Sequence, residues 1–246
     1  MINERVLLGY PSKFFDIDIY PPKVSEVVAN EEFWQCYKIL TFSQEEIEDE
    51  FVKDNIQNDF PTPLEFLLSN CYHNSQYEEL TRRAFYLFCR VDCLFIYEMK
   101  KILLGKNIEE EVKNASSMED LFFLDSDNFF DFQNKIRESL GEKIIEPPKP
   151  NEDPRIKRIK AKARYRDKIK AKKGLGLKLS TSLVAICCMN TGLNPLNVGE
   201  ISYASVHAIA RMYQEKEKYD IDIRSLQAGA DSKKINPIYW IRNLDE

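Results

Sequence analysis

The sequence predicts a mainly α protein with a short N-terminal β-hairpin, a proline-rich connector joined to a basic helix, and a small C-terminal helical unit. Apolar residues recur at steps of three and four over most of the chain, the pattern of helices that bury one face. One early stretch alternates instead, and a cluster of prolines separates two parts of different composition. The 246 residues are 43% hydrophobic and 12% aromatic, which is enough to bury a core.

Alternation near the N-terminus predicts the hairpin. Phe15, Ile17 and Ile19 alternate with polar residues, which is typical of a half-buried strand. The stretch from Gly9 to Ser12 has the composition of a turn. The proline pair at 21–22 ends the strand, because proline fixes φ and lacks an N–H donor.

Capping residues mark where the first helices begin. A helical pattern starts at Ser25, and Ser43 lies three residues before Glu46, which forms a capping box. Thr62 precedes a proline at the first helical position and marks a further helix start. These signals predict several helices in the first third of the chain.

The most apolar helical pattern runs from Glu78 to Gly105, and it predicts one helix that ends at that glycine. Two shorter helices are predicted in "SSMEDLFFL" and "SDNFFDFQNKIRESLG". We expect Ser126 or Asp127 to cap the second of these and Gly141 to end it.

A composition shift defines the domain organisation. Four prolines fall within eight positions in "EPPKPNEDP", which excludes a helix or a central strand. We therefore predict an N-terminal domain over 1–145, a connector with a basic helix over 146–174, and a C-terminal helical domain over 175–246. In the last domain we expect a helix in "LSTSLVAICCMNTGLN", a turn at 194–197, and a helix from Ser202 to about Asp220.

Charge is distributed unevenly along the chain. The formal net charge is −5, yet the segment from Arg155 to Lys173 holds eleven basic residues and one acid. As a helix it would present cations on nearly every side, so it is either solvated or bound to an acidic surface. We identify its first basic residues as candidate partner contacts. They are Arg155, Lys157, Arg158, Lys160, Lys162, Arg164, Arg166 and Lys168.

Binding of nucleic acid by this basic segment is the main alternative. Nonspecific binders spread positive charge over a face because affinity grows with the number of phosphates neutralised. Here the rest of the chain is acidic, and Tyr165 is the only aromatic residue in the segment that could stack on a base. Nucleic acid is therefore the less favoured partner.

The C-terminal segment gives a second candidate contact. Tyr239 and Trp240 place two large rings close to the chain end, and Arg242 follows them. Terminal residues fray unless they are docked, so these side chains either pack on the C-terminal domain or anchor a partner.

No catalytic or cofactor motif is evident. The six cysteines lie mostly in apolar runs and are expected to be reduced, and only His73 and His207 are available for acid–base work. A metal site built from Cys71, His73, Cys89 and Cys93 is a weak alternative, with Cys89 and Cys93 expected on one helix face. We predict a non-enzymatic protein without cofactor or metal, and with no secretion signal or membrane span.

Several segments together resemble a known family. They are "IDIYPPKVSEV", "DFPTPLEFLL", "NFFDFQNKIRESLG", "EPPKPNEDPRIKRIKAKARYRDKIKAKKG" and "YDIDIRSLQAGADSKKINPIYWIRNL". In this order they resemble tail assembly chaperones, also described as tail assembly proteins, of tailed bacteriophages and of prophages of Gram-positive bacteria. The segments touch most of the chain, and the C-terminal one is the most specific.

The resemblance implies a role in the cytoplasm of the bacterial host. A protein of this family binds the tape-measure protein, keeps it soluble, and helps tail-tube subunits assemble around it. Self-association is a further expectation, and no catalytic residue is carried over. The alternatives are a minor structural protein of the virion and a nucleic-acid-binding phage protein that uses residues 155–173.

Overall fold

A computed structural model shows how these segments fold. It describes residues 3–53, 60–115, 117, 121–146, 159, 179–188, 192–229, 235 and 237. The predicted mainly α fold with a small N-terminal hairpin is confirmed. Within the described ranges, no helix is both long enough and apolar enough to cross a membrane.

The hairpin follows a short first helix, α1 (Glu4–Leu7), and pairs β1 (Ser12–Phe14) with β2 (Ile17–Ile19). Its turn is formed by Phe15 and Asp16, whereas the predicted turn at Gly9–Ser12 only links α1 to β1. Phe14 joins Ile17 and Ile19 in the core, so Phe15 lies outside it. The predicted alternation is therefore correct for Ile17 and Ile19 and wrong for Phe15.

In the described residues of 20–53 and 60–89, five helices follow the hairpin: α2 (Val24–Ala29), α3 (Phe33–Thr41), α4 (Gln44–Lys53), α5 (Pro63–His73) and α6 (Ser75–Cys89). The predicted capping box at Ser43 and the predicted helix cap at Thr62 are both confirmed. The Glu46 backbone N–H donates to Ser43 Oγ at 3.2 Å, and the Ser43 N–H donates back to the Glu46 carboxylate at 3.2 Å. Thr62 and Glu65 make the same exchange at the start of α5.

The prediction of a continuous helix to Gly105 is wrong beyond Cys89. Arg90 adopts a left-handed conformation (φ +56°) that ends α6, and the chain then forms β3 (Asp92–Ile96) and β4 (Lys101–Gly105). In β3 the buried Cys93 and Phe95 alternate with exposed neighbours, a strand pattern that the apolar content of the segment obscured.

A third strand, β5 (Phe123–Leu124), completes an antiparallel sheet in the order β3-β4-β5. It replaces the end of the helix predicted in "SSMEDLFFL", of which residues 116 and 118–120 lie outside the described part. Two helices flank this strand in sequence, α7 (Ile108–Asn114) and α8 (Phe129–Ser139). The N-cap position of α8 is Asn128, not Ser126 or Asp127, while Gly141 has the positive φ expected after a helix end.

Helix α8 is fastened to the end of α3 by buried polar side chains. The Gln133 amide donates to the carbonyls of Leu40 at 3.1 Å and Phe42 at 2.9 Å. The Arg137 guanidinium donates to the carbonyl of Thr41. These bonds satisfy carbonyls that the last turn of a helix leaves without partners.

The C-terminal part contains α9 (Leu179–Cys188) and α10 (Tyr203–Gln227). The predicted turn at 194–197 is confirmed by the Asn197 N–H, which donates to the Asn194 carbonyl at 3.1 Å. Ser202 caps α10 as predicted, but the helix continues to Gln227 instead of ending near Asp220.

The beginning of α10 packs against the beginning of the chain. The Tyr203 N–H donates to the Pro22 carbonyl at 2.8 Å, and the Val24 N–H donates to the Ile201 carbonyl at 3.0 Å. The hydroxyl of Ser205 donates to the Leu7 carbonyl at 2.6 Å. Residues 198–206 thus share an interface with residues 7–25, while the predicted boundary after residue 145 stays a prediction.

Candidate partner-binding surface

Every partner contact predicted from the sequence lies outside the described residues. This holds for Arg155, Lys157, Arg158, Lys160, Lys162, Arg164, Arg166, Lys168, Tyr239, Trp240 and Arg242. Within the basic segment only Ile159 is described; it is helical and its side chain is 69% exposed. These contacts stay predictions.

The four cysteines of the N-terminal part are buried core thiols. Cys89 ends α6 and Cys93 lies in β3, so the expected placement of both on one helix face is wrong. Burial raises the pKa of Cys36 and Cys71 to about 11 and that of Cys93 to about 12. Burial also raises the pKa of Cys89. All four thiols therefore stay protonated at neutral pH.

The geometry gives no support to a metal site at these residues. Metals bind the thiolate, which burial disfavours here, and the Cys71 thiol instead contacts Thr81 Oγ1 at 3.5 Å. His73 is exposed at the end of α5, where its ring lies edge-on to that of Tyr72 at 5.1 Å. Among the described residues, no three His, Cys, Asp or Glu side chains form a group that could hold a metal ion.

Thiol labelling checks this arrangement. Cys188 is exposed, whereas Cys36, Cys71, Cys89 and Cys93 are buried. We expect Cys188 to react with a maleimide within minutes in the native protein, and the four buried thiols to react only after unfolding. Peptide mass spectrometry after a timed quench identifies the labelled positions. Rapid labelling of Cys71 or Cys93 in the native state would contradict the packing described here.

An open groove lies between α5 and the turn that joins β3 to β4. We call it the aromatic groove. Its volume is about 570 Å³, and its principal lining residues are Phe60, Pro61, Leu68, Tyr72, Tyr97 and Lys100. Such a volume lies in the range of protein pockets that receive ligands or partner side chains.

Two tyrosines shape the aromatic groove. Tyr72 is 68% exposed, and its ring meets that of Tyr97 edge-on at 5.2 Å. Tyr97 in turn stacks on Phe95 at 6.1 Å, and the Arg82 guanidinium lies 5.1 Å from the Phe95 ring. These contacts stabilise the position of the Tyr97 ring, against which Tyr72 packs.

The rim of the groove is polar. The Lys100 ammonium donates to the Glu65 carboxylate at 2.7 Å, which lowers the pKa of that carboxyl. Burial and the neighbouring Glu78 carboxylate raise the pKa of Tyr97 to about 12, so its hydroxyl remains a hydrogen-bond donor at neutral pH. The groove combines aromatic surface with a few directional groups, as interfaces for protein segments do.

The amino-acid sequence contains only a partial signal for this groove. Tyr72 is flanked by Cys71 and His73, and this pair suggested a metal site and not a protein-binding surface. Tyr97 is placed by the turn between β3 and β4, in a region predicted to be helical. Recognition of the period-two pattern at 92–96 would have placed Tyr97 at a turn.

Comparison with protein-family models, with curated proteins and with solved structures gives no match for this chain.

Proposed function

We propose that this protein is a non-enzymatic tail assembly chaperone that binds the tape-measure protein and helps tail-tube subunits assemble around it. The resemblance of its segments to that family supplies the identity of the partner. The aromatic groove supplies a surface on which an apolar helical face of such a partner can dock. We place this role in the cytoplasm of the bacterial host.

The observation that carries the proposal is the exposure of Tyr72. A tyrosine that is 68% exposed, at the mouth of a groove and supported by Tyr97, retains most of its surface for a partner. Tyrosine is enriched among the anchors of protein interfaces because it buries a large area with few rotatable bonds.

The form of the groove also suits a chaperone. It is open and has a charged rim, so a client helix can enter and leave without unfolding of the protein. A tape-measure protein exposes long apolar faces before the tube encloses it, and reversible cover of these faces requires contacts of moderate strength. The net charge of −5 favours solubility of the complex.

The test compares two exposed tyrosines. We expect Tyr72→Ser to weaken capture of the co-expressed tape-measure protein of the same phage about tenfold, as loss of an interface anchor does. Tyr86→Ser is the matched control, because Tyr86 is 59% exposed on α6 and lies outside the groove. Capture is quantified by mass spectrometry after nuclease treatment and washing at about 0.3 M salt.

Two results would overturn the proposal. Equal capture by Tyr72→Ser and Tyr86→Ser would exclude the aromatic groove as the client surface. Recovery of nucleic acid at low salt, with no tape-measure or tail-tube protein retained, would favour the nucleic-acid alternative. Detection of the protein in purified virions would instead identify it as a minor structural component.

A further inference from the structure

A second pocket lies beside the turn of the N-terminal hairpin. We call it the hairpin pocket. It has a volume of about 470 Å³, and the lining residues that matter here are Asp16, Asp18, Val91, Leu104, Glu111 and Phe122. We propose that the hairpin pocket binds the basic segment Arg155–Lys173 of a second copy of this chain. This inference is independent of client binding at the aromatic groove.

Phe15 lies beside this pocket, next to the lining residue Asp16 in sequence and in ring contact with the lining residue Phe122. It occupies the first position of the two-residue hairpin turn with φ +50°, a conformation that strongly favours glycine. Its side chain is nevertheless 65% exposed, and its ring lies 5.3 Å from that of Phe122. A bulky residue with a left-handed backbone that also leaves most of its side chain exposed is unusual, and such strained positions cluster at functional sites.

The pocket combines an apolar floor with an acidic rim. Val91, Leu104 and Phe122 supply apolar surface, while Asp16, Asp18 and Glu111 supply carboxylates. Lys106 is the basic residue in the lining. Asp18 pairs with Lys13 at 2.9 Å, and Glu111 accepts the Lys106 backbone N–H at 2.9 Å.

Asp16 is the carboxylate of the pocket that can pair with a cation of a partner. It is exposed and forms no ion pair with any residue in the described part of the chain. The pocket therefore complements an apolar side chain that is flanked by cations.

The basic segment has this chemistry. Its sequence "RIKRIKAKARYRDKIKAKK" places isoleucines directly between lysines and arginines. Ile159, between Arg158 and Lys160, is 69% exposed in its own chain. Because its own chain leaves this side chain exposed, we assign the occupant of the pocket to a second copy. The aliphatic side chain would cover the floor, and a neighbouring cation would pair with Asp16.

The experiment measures binding of a fluorescent synthetic peptide of residues 155–173 to the full-length protein by anisotropy, at about 0.05 M salt to limit screening. We expect Phe15→Gly to weaken peptide binding about tenfold without loss of stability, since glycine relieves the strained turn. Asp16→Asn should weaken it as well. A peptide with the isoleucines replaced by serine keeps the charge and should bind more weakly. Tyr86→Ser serves as the control for an exposed ring outside the lining of the pocket.

Light scattering over a range of protein concentrations completes the test. We expect concentration-dependent association that Phe15→Gly and Ile159→Ser both weaken. Equal peptide binding by Phe15→Gly and the unmodified protein, or no peptide binding at all, would overturn the proposal. Peptide binding by a chain that stays monomeric would assign the segment to its own chain and overturn the role of a second copy.

The variants also separate this proposal from client binding. Tyr72→Ser should leave peptide binding and association unchanged. Phe15→Gly should retain the tape-measure protein.

Discussion

Replacement of Arg137 by alanine is expected to lower the free energy of unfolding by about 3 kcal/mol. The side chain is only 4% exposed, and its guanidinium donates to the Thr41 carbonyl at the end of α3. Burial lowers the pKa of Arg137, while Tyr37 and the carboxylates of Glu46 and Glu142 counteract this shift. Alanine would leave the carbonyl without its donor and a void between α3 and α8.

Urea unfolding followed by circular dichroism measures this loss, with an unchanged m-value as evidence that the unfolded state is the same. Arg83→Ala is the matched control. Arg83 pairs with Glu32 and Glu79 on the surface, so its removal should lower the free energy of unfolding far less than removal of Arg137 does. Similar losses for the two variants would show that the contact between α3 and α8 contributes little to stability.

A rise in pH from 8 to 10 is expected to lower the free energy of unfolding by on the order of 4 kcal/mol, through the buried thiols of Cys36, Cys71, Cys89 and Cys93. In the fold their pKa values are raised, whereas in the unfolded chain they lie near the ordinary value of 9.0. Above pH 9 the unfolded state therefore loses protons that the native state keeps. The contribution of these thiols to stability is fully present below pH 9. It is lost progressively as the pH rises from 9 through the native pKa values of about 11 to about 12.

Urea titrations at several pH values, with a phosphine reductant present, provide the measurement. Cys71→Ala should reduce the slope of stability against pH by about a quarter, because one of the four buried thiols is removed. Cys188→Ser is the matched control, because Cys188 is exposed in the native protein. Equal unfolding free energies at pH 8 and pH 10 would contradict the burial of these thiols.

Local signals predicted the helices well and the sheet poorly. Ser43, Thr62 and Ser202 act as N-caps through bonds within one turn, so a short sequence window contains the relevant information. Strands β3 and β4 depend on pairing across a turn, and their residues are apolar enough to suit a helix equally well. The helix ends because Arg90 adopts a left-handed conformation, and a left-handed arginine has no sequence signature.

The candidate surfaces were less predictable than the fold. Tyr72 and Tyr97 are 25 positions apart, and their contact requires the unpredicted turn between β3 and β4. At the hairpin pocket, the alternation of Phe15 with Ile17 and Ile19 suggested a buried ring, whereas the turn places it outside. Binding surfaces join distant segments, and composition alone does not reveal which segments meet.

The interface between the start of the chain and the start of α10 has a consequence for biosynthesis. The Ser202 hydroxyl donates to the Leu7 carbonyl across 195 positions, and Lys23 pairs with Glu200 across 177. Contacts of such sequence separation form late, because loop closure must precede them. At about 5 to 20 residues per second, the ribosome needs roughly 10 to 40 s to deliver α10 after α1. Until these later residues are synthesised, the nascent chain carries Val24 without its partners Ile186 and Val206, so the N-terminal elements complete their packing only after the start of α10 has been made.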